Sequence, residues 1–197
     1  YGGSCFPKDT LALVETGREA DSRLGIVEAV IRANEARKAR LAERVVAEMG
    51  GTASGRTIAV LGLTFKPNTD DMRDAPSLVM VPALQKHGAS VRVHDPKGMP
   101  HARALLDGVA WCESPLEAAE GADAIVITTE WDIYRAMDLA ALRAAMRGDL
   151  FFDFRNIYKA REVTRFGYRY FGIGRGDELG AAPADDERPA PVRLVGS

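Results

Sequence analysis

Cysteine is scarce, long apolar runs are missing and neither charge sign dominates, and each shortage removes a class of protein. Cys5 and Cys112 are the two cysteines. No disulfide framework can therefore organise the fold, and a reducing, cytoplasmic setting is expected. No apolar run reaches the ~20 residues of a membrane-spanning helix, and no secretory signal pattern opens the sequence. A formal charge of -2 lacks the basic excess of a nucleic-acid binder. No metal site is expected. What remains is an ordinary globular composition, with 46% hydrophobic and 27% charged residues in 197. That length can bury one sizeable core and carry an appendage.

Periodicity supplies the architecture. Leu11, Leu13 and Val14 against Glu15, Arg18 and Glu19 predict a short helix over 9–20, capped by Asp9 or Thr10. A longer helix is predicted from Ile26 to Met49, stopped by Gly50-Gly51. Its ~24 residues would reach roughly 36 Å, enough to join two domains. The middle, Asn34 to Arg40, is polar nearly all round. A solvated face is the ordinary reading of it; a subunit interface or an anionic ligand is the functional one. After a linker of small residues (52–56), Thr57 to Leu63 is the continuous apolar run of a buried parallel strand. Further strands are predicted at Ser90–His94, Val109–Trp111, Ala122–Thr128, Leu150–Asp153 and Tyr168–Phe171. Helical segments opened by Asp74, at 101–107, and opened by Ser114 and Asp138 separate them. Alternating strands and helices make βαβ units and a parallel sheet, so 57–174 reads as an α/β, Rossmann-like domain. Its ligands belong beyond the carboxyl ends of the strands. Residues 177–197, rich in Ala, Pro, Asp and Glu, are expected to form a disordered tail.

Two stretches carry reactive chemistry. In Tyr1-Gly2-Gly3-Ser4-Cys5-Phe6-Pro7-Lys8-Asp9-Thr10 the glycines allow close backbone approach, and Lys8 would favour a Cys5 thiolate. Asp9 could orient water or hold the cation. An inert, buried cysteine on a glycine turn is the alternative. The first strand ends in Gly62-Leu63-Thr64-Phe65-Lys66-Pro67-Asn68-Thr69-Asp70-Asp71-Met72-Arg73-Asp74. This is not the glycine-rich dinucleotide fingerprint. Phe65 could stack on a base and Lys66 could hold a phosphate; a plain surface loop fits these residues equally.

Both stretches resemble the nucleotide-sugar 6-dehydrogenases, and the UDP-glucose 6-dehydrogenase family in particular. GGSCFPKDT is similar to the family's active-site segment, and GLTFKPNTDDMRDAPS to its C-terminal UDP-binding domain. Asp153-Phe154-Arg155-Asn156 resembles the family's arginine loop, with Phe154 where glycine is frequent. Asn34 and Arg37 resemble an Asn-x-x-Arg element of the dimer core. His94-Asp95-Pro96 and Glu130-Trp131-Asp132 also look like family segments and are assigned to structure. The resemblance implies that residues 1–52 are the later part of a central helical dimerisation region, ahead of a UDP-sugar-binding domain over 57–174. It implies NAD-dependent, two-step oxidation of UDP-glucose to UDP-glucuronate, with Cys5 as nucleophile and Asp9 assisting the attacking water. Tyr1, Gly2, Arg37, Phe65, Lys66 and Arg155 would hold the UDP-sugar, while Cys5, Lys8 and Arg73 would lie toward NAD. A homodimer through the central helix is implied as well. The sequence begins at Tyr1 inside a motif, so it is expected to be the C-terminal part of a longer protein whose other half binds NAD. UDP-N-acetylhexosamine and GDP-mannose are the alternative substrates. A UDP-binding or dimerisation module without catalysis is the alternative for the chain in isolation.

Overall fold

The computed structural model describes residues 1–3 and 5–174, so the expected tail over 177–197 lies outside the described residues. Two helices lead the chain. The first, α1, runs Phe6–Glu19 and is N-capped by Cys5, not by Asp9 or Thr10. Pro7 supplies a pre-set φ and lacks the N–H that a first turn leaves unpaired, so the helix can begin ahead of the polar residues. The Thr10 hydroxyl instead donates back to the carbonyls of Phe6 and Pro7, at 2.8 and 3.1 Å. The second helix, α2, spans Gly25–Glu48, 24 residues. Its C-terminal half buries Ala42, Val45 and Val46 in one core cluster with Met80 and Leu84. Arg44 ties it to the sheet by donating to the carbonyl of Gly172 at 2.7 Å.

The alternating part follows as β1 (Thr57–Leu61), α3 (Ser77–Lys86), β2 (Ser90–His94), α4 (Met99–Ala102), β3 (Val109–Trp111), α5 (Pro115–Ala119), β4 (Ala124–Ile127), α6 (Asp132–Arg135), α7 (Leu139–Ala145), β5 (Leu150–Asp153), α8 (Ala160–Thr164) and β6 (Arg169–Gly172). The six strands lie in the order β3-β2-β1-β4-β5-β6, and every pair is parallel. Ile58 and Val60 face the cluster under α2 and α3, whereas Ala59 and Leu61 face the one on the opposite side. Burial on both faces is why β1 reads as an unbroken apolar run. The strand order reverses between β1 and β4, and a crevice opens there beyond the carboxyl ends.

Besides the α1 cap, two helix starts differ from the sequence reading. The helix α3 starts at Ser77 with Pro76 as its N-cap, not at Asp74. Asp74 instead sits at φ 57 with its carboxylate committed to Lys38 of α2. The helix α4 starts at Met99, ahead of the expected 101–107. Asp95 draws the chain into that turn by accepting the N–H groups of Lys97 and Gly98, at 2.9 and 2.6 Å. The helices α6 and α8 have 4 and 5 residues, too few to display a period.

At the amino end of the sheet Asp123, 4% exposed, is an anchor. It accepts from the Thr57 N–H at 2.8 Å and from Arg56 and Arg147. Burial alone would raise its pKa, but the Arg147, Thr57 and Arg56 bonds hold it below the ordinary 3.8. A depressed carboxylate stabilises the fold above its unfolded pKa and loses that contribution as pH falls through the folded value. Asp123→Asn is therefore expected to cost about 1–3 kcal/mol near neutrality. The gap to wild type should close below pH ~4 in urea unfolding. A gap that persists at acid pH would show that charge is not the source.

Candidate functional site

The crevice is built first from backbone. Gly62 leaves β1 at φ +92, and a Cβ there would lie 2.5 Å from the Thr129 Cβ, so the turn demands glycine. The next two N–H groups, of Leu63 and Thr64, donate to Asp95 Oδ2 at 2.7 and 3.1 Å. The Thr64 hydroxyl and the Trp131 indole add donations to the same oxygen at 3.2 and 3.1 Å. Thr129 Oγ1 donates to the Thr64 carbonyl at 2.5 Å, and Ser77 Oγ to that of Leu63, also 2.5 Å. The ends of β1, β2 and β4 are thus locked together, and the 64–74 loop leaves from a fixed base.

The leading segment docks on that loop. A Cβ on Gly2 or Gly3 would lie 2.8 or 2.5 Å from the Phe65 ring, so the ring packs directly against glycine backbone. Tyr1 is held by its hydroxyl, 2.6 Å from Thr10 Oγ1. From α2, Lys38 is 7% exposed and paired with Asp74 and with Glu35 at 2.9 Å. Burial works against its charge, yet the bonds to Asp74 and Glu35 prevail and raise its pKa, so it stays an ammonium. Beside it the Asn34 Nδ2 and Asp74 Oδ2 atoms are buried without a hydrogen-bond partner among the described residues.

The last wall comes from the turn after β5. Asp153 is fully buried. One of its oxygens accepts the Arg155 N–H at 3.1 Å, and the other accepts the Tyr158 N–H at 2.9 Å and the Tyr170 hydroxyl at 3.0 Å. The Arg155 side chain binds Glu130 through Nε and, at 2.8 Å, through Nη2.

These walls enclose a cavity of about 450 Å³. Of the residues expected to hold a UDP-sugar, Tyr1, Gly2, Arg37, Phe65 and Arg155 all line it. Lys66 does not; its side chain is exposed beside the loop. Cys5, Lys8 and Asp9 are exposed at the start of α1, where Lys8 and Asp9 form a loose pair at 3.9 Å. Arg73 is exposed too, held by Asp71 through two bonds of 2.9 Å. The bonds to Asp71 and its charge raise the Arg73 pKa. Among the described residues no cluster of three or more His, Cys, Asp and Glu could hold a metal ion. No described helix is long and apolar enough to cross a membrane.

Sequence reasoning missed Lys38, Asp74 and Glu130 as site residues. Glu130 carried a usable signal, since it lies three residues beyond the end of a buried strand, beside the reversal of strand order. Lys38 lies in the polar stretch Asn34 to Arg40, for which an anionic ligand was one reading, but nothing local singles it out because its partner Asp74 lies on another element.

A doubly wound parallel sheet with a cavity of aromatic, cationic and amide groups at its carboxyl edge defines a Rossmann-like α/β protein. Residues 59–160 match the UDP-binding domain of the UDP-glucose/GDP-mannose dehydrogenase family, and residues 1–36 match the family's central domain. The chain belongs to the UDP-glucose/GDP-mannose dehydrogenase family. It is 51% identical over 177 residues to the UDP-glucose 6-dehydrogenase of Rhizobium meliloti (strain 1021), covering 90% of this chain and 40% of that protein. A UDP-glucose dehydrogenase structure from Pyrobaculum islandicum superposes with TM-score 0.73 at 39% identity, over 87% of this chain and 37% of that one. A UDP-D-ManNAc dehydrogenase structure from Pyrococcus horikoshii gives 0.68 at 31%, over 89% and 39%. The chain thus spans about 40% of the length of the curated relatives it matches.

Proposed function

We propose that this chain is the substrate-holding, nucleophile-bearing part of an NAD-dependent dehydrogenase that converts UDP-glucose to UDP-glucuronate. The observation that carries the reading is the cavity itself, where the leading segment, α2, the β1 loop and the Arg155 turn converge. Its wall offers the cations Arg37, Lys38 and Arg155 to an anionic ligand. Relatives at 51% and 43% identity are UDP-glucose 6-dehydrogenases, which favours glucose as the sugar. The 31% identical UDP-D-ManNAc dehydrogenase keeps an N-acetylhexosamine as the second reading.

The residues present do not form a dinucleotide site. The turn after β1 lacks the glycine fingerprint, and Asp95 and Thr129 bond to its backbone from within. NAD, the hydride acceptor, is accordingly assigned to a part of the protein outside this chain. The chain's own share is covalent. Cys5 Sγ attacks C6 of the sugar aldehyde, forming a C–S bond while the carbonyl oxygen takes a proton. Once that adduct stands at the thioester level, water assisted by Asp9 adds to C6. The C–S bond then breaks, giving the carboxylate and returning Sγ as thiolate. A covalent adduct keeps the reactive aldehyde bound between the two oxidations. Phe6, Leu11, Leu13, Ile26 and Val30 are exposed on α1 and α2, and this apolar surface suits a homodimer through the central helix. A cytoplasmic enzyme accords with Cys5 and Cys112 being without a disulfide.

The test is paired. The intact enzyme should reduce NAD with UDP-glucose in preference to UDP-N-acetylhexosamine or GDP-mannose. The 197-residue chain should bind UDP in calorimetry without producing NADH. Arg155→Ala should weaken UDP by about 1–3 kcal/mol, the scale of a lost charge-assisted hydrogen bond. Equal affinities for the two proteins would remove Arg155 from the site, and a chain that ignores UDP would sink the whole reading.

A further inference from the structure

The hydrogen bonds of Arg155 are one-sided. Its Nε and Nη2 both donate to the carboxylate of Glu130, which occupies one edge of the guanidinium. Two of its five N–H donors are used in this way. The other edge, made of Nη1 and the remaining Nη2 proton, has no partner among the described residues, and the side chain lines the cavity at 30% exposure. That edge presents two parallel N–H groups in the fork that matches a phosphate oxygen pair. A long arginine side chain would otherwise spend rotamer entropy to hold one geometry.

Glu130 is itself held firmly. Thr129, before it, donates its hydroxyl to the Thr64 carbonyl at 2.5 Å. Trp131, after it, donates its N–H to the Thr129 carbonyl at 3.0 Å and its indole N–H to buried Asp95 at 3.1 Å. The carboxylate that meets Arg155 therefore projects from a segment pinned on both sides, at the end of β4 next to the reversal of strand order. Burial alone would raise its pKa, but the Arg155 bond and charge lower it, so the group is ionised at neutral pH.

We propose that Glu130 is a positioning residue for Arg155. It clamps one edge of the guanidinium so that the opposite edge meets the diphosphate of the bound nucleotide sugar. The proposal rests on the UDP-sugar reading of the cavity and adds to it a residue that touches no ligand. Two other roles make different predictions. A carboxylate that merely competes with the ligand for Arg155 would weaken UDP binding, so its removal would strengthen it. A structural strut would alter stability and leave UDP affinity alone.

Calorimetry with UDP on the wild-type chain, Glu130→Gln, Glu130→Ala, Arg155→Ala and the Glu130→Ala/Arg155→Ala double variant separates them. Circular dichroism melting reports folding for each. We expect Glu130→Ala to lose about tenfold in UDP affinity and Glu130→Gln somewhat less, since its amide oxygen still accepts one bond. In the Arg155→Ala background the Glu130 change should add nothing, because a positioning residue has nothing left to position. In the intact enzyme the loss should fall on KM for UDP-glucose, with kcat little changed. If Glu130→Ala fails to fold, Glu130→Gln carries the comparison. Unchanged or tighter UDP binding in a folded Glu130 variant overturns the proposal, as does a full additive loss in the double variant. A wild-type chain that does not bind UDP overturns the parent reading, and the positioning role falls with it. Wild-type binding with indifferent Glu130 variants overturns the positioning role alone.

Discussion

Replacing Cys5 by alanine in the intact enzyme is expected to cut UDP-glucuronate formation by roughly a thousandfold or more, the scale seen when a covalent nucleophile is removed. UDP affinity should stay within about twofold, because Cys5 does not line the cavity that holds Arg155 and Phe65. The fold should survive as well. Cys5 caps α1 through its backbone, and its carbonyl accepts the Asp9 N–H at 2.9 Å, a bond that alanine keeps. Cys5 is exposed at the start of the 14-residue α1. Cys112 differs. It is fully buried, burial pushes its thiol pKa up, and its sulfur points at the Ala110 carbonyl, 3.7 Å away. Iodoacetamide should therefore label Cys5 well before Cys112, with mass spectrometry of the two peptides as the readout. Acid formation by Cys5→Ala at near wild-type rate would falsify the nucleophile assignment.

The parts of this protein that could be read from sequence are those whose information is local. Thr57 to Leu61 announces a strand buried on both faces because five consecutive residues need no polar side. The capping pattern at Ser114 predicts α5 correctly, since its hydroxyl accepts the Glu117 N–H at 3.1 Å within a single turn. Legibility ends where a residue's role is set by a distant partner. Asp74 reads as a helix cap until Lys38 of α2 claims its carboxylate. Lys38 reads as one more solvated cation in a polar stretch, yet it is buried. The cavity joins residues from the first ten positions, the middle of α2, the β1 loop and the turn after β5. Motif resemblance named several of them, but no spacing rule could say that Phe65 rests on Gly2 and Gly3 while Lys66 points away.

Asp95 is where a single substitution should cost the fold the most, and the reason lies in the number of donors that it gathers. Oδ2 accepts from the Leu63 N–H, the Thr64 N–H, the Thr64 hydroxyl and the Trp131 indole, and Oδ1 from the Lys97 and Gly98 N–H groups. The residue is 1% exposed, so water cannot replace what is lost. Asparagine is nearly the same shape and serves as the informative variant. Whichever way its amide turns, an NH2 group must face at least two N–H donors and leave them unpaired in the interior. A buried donor without an acceptor costs about 1–3 kcal/mol, and the lost charge assistance adds to this, so Asp95→Asn should destabilise by about 3–5 kcal/mol. Asp123→Asn should cost less, because its partners Arg56 and Arg147 are half-exposed and can turn to water. Function should fail together with stability. Those bonds fix the base of the loop that carries Phe65 and the segment that carries Glu130, so UDP affinity should drop even where the variant remains folded. Urea unfolding and UDP calorimetry at one temperature provide both measurements. A folded Asp95→Asn protein with a near wild-type urea midpoint would show that the loop is held by packing rather than by this carboxylate.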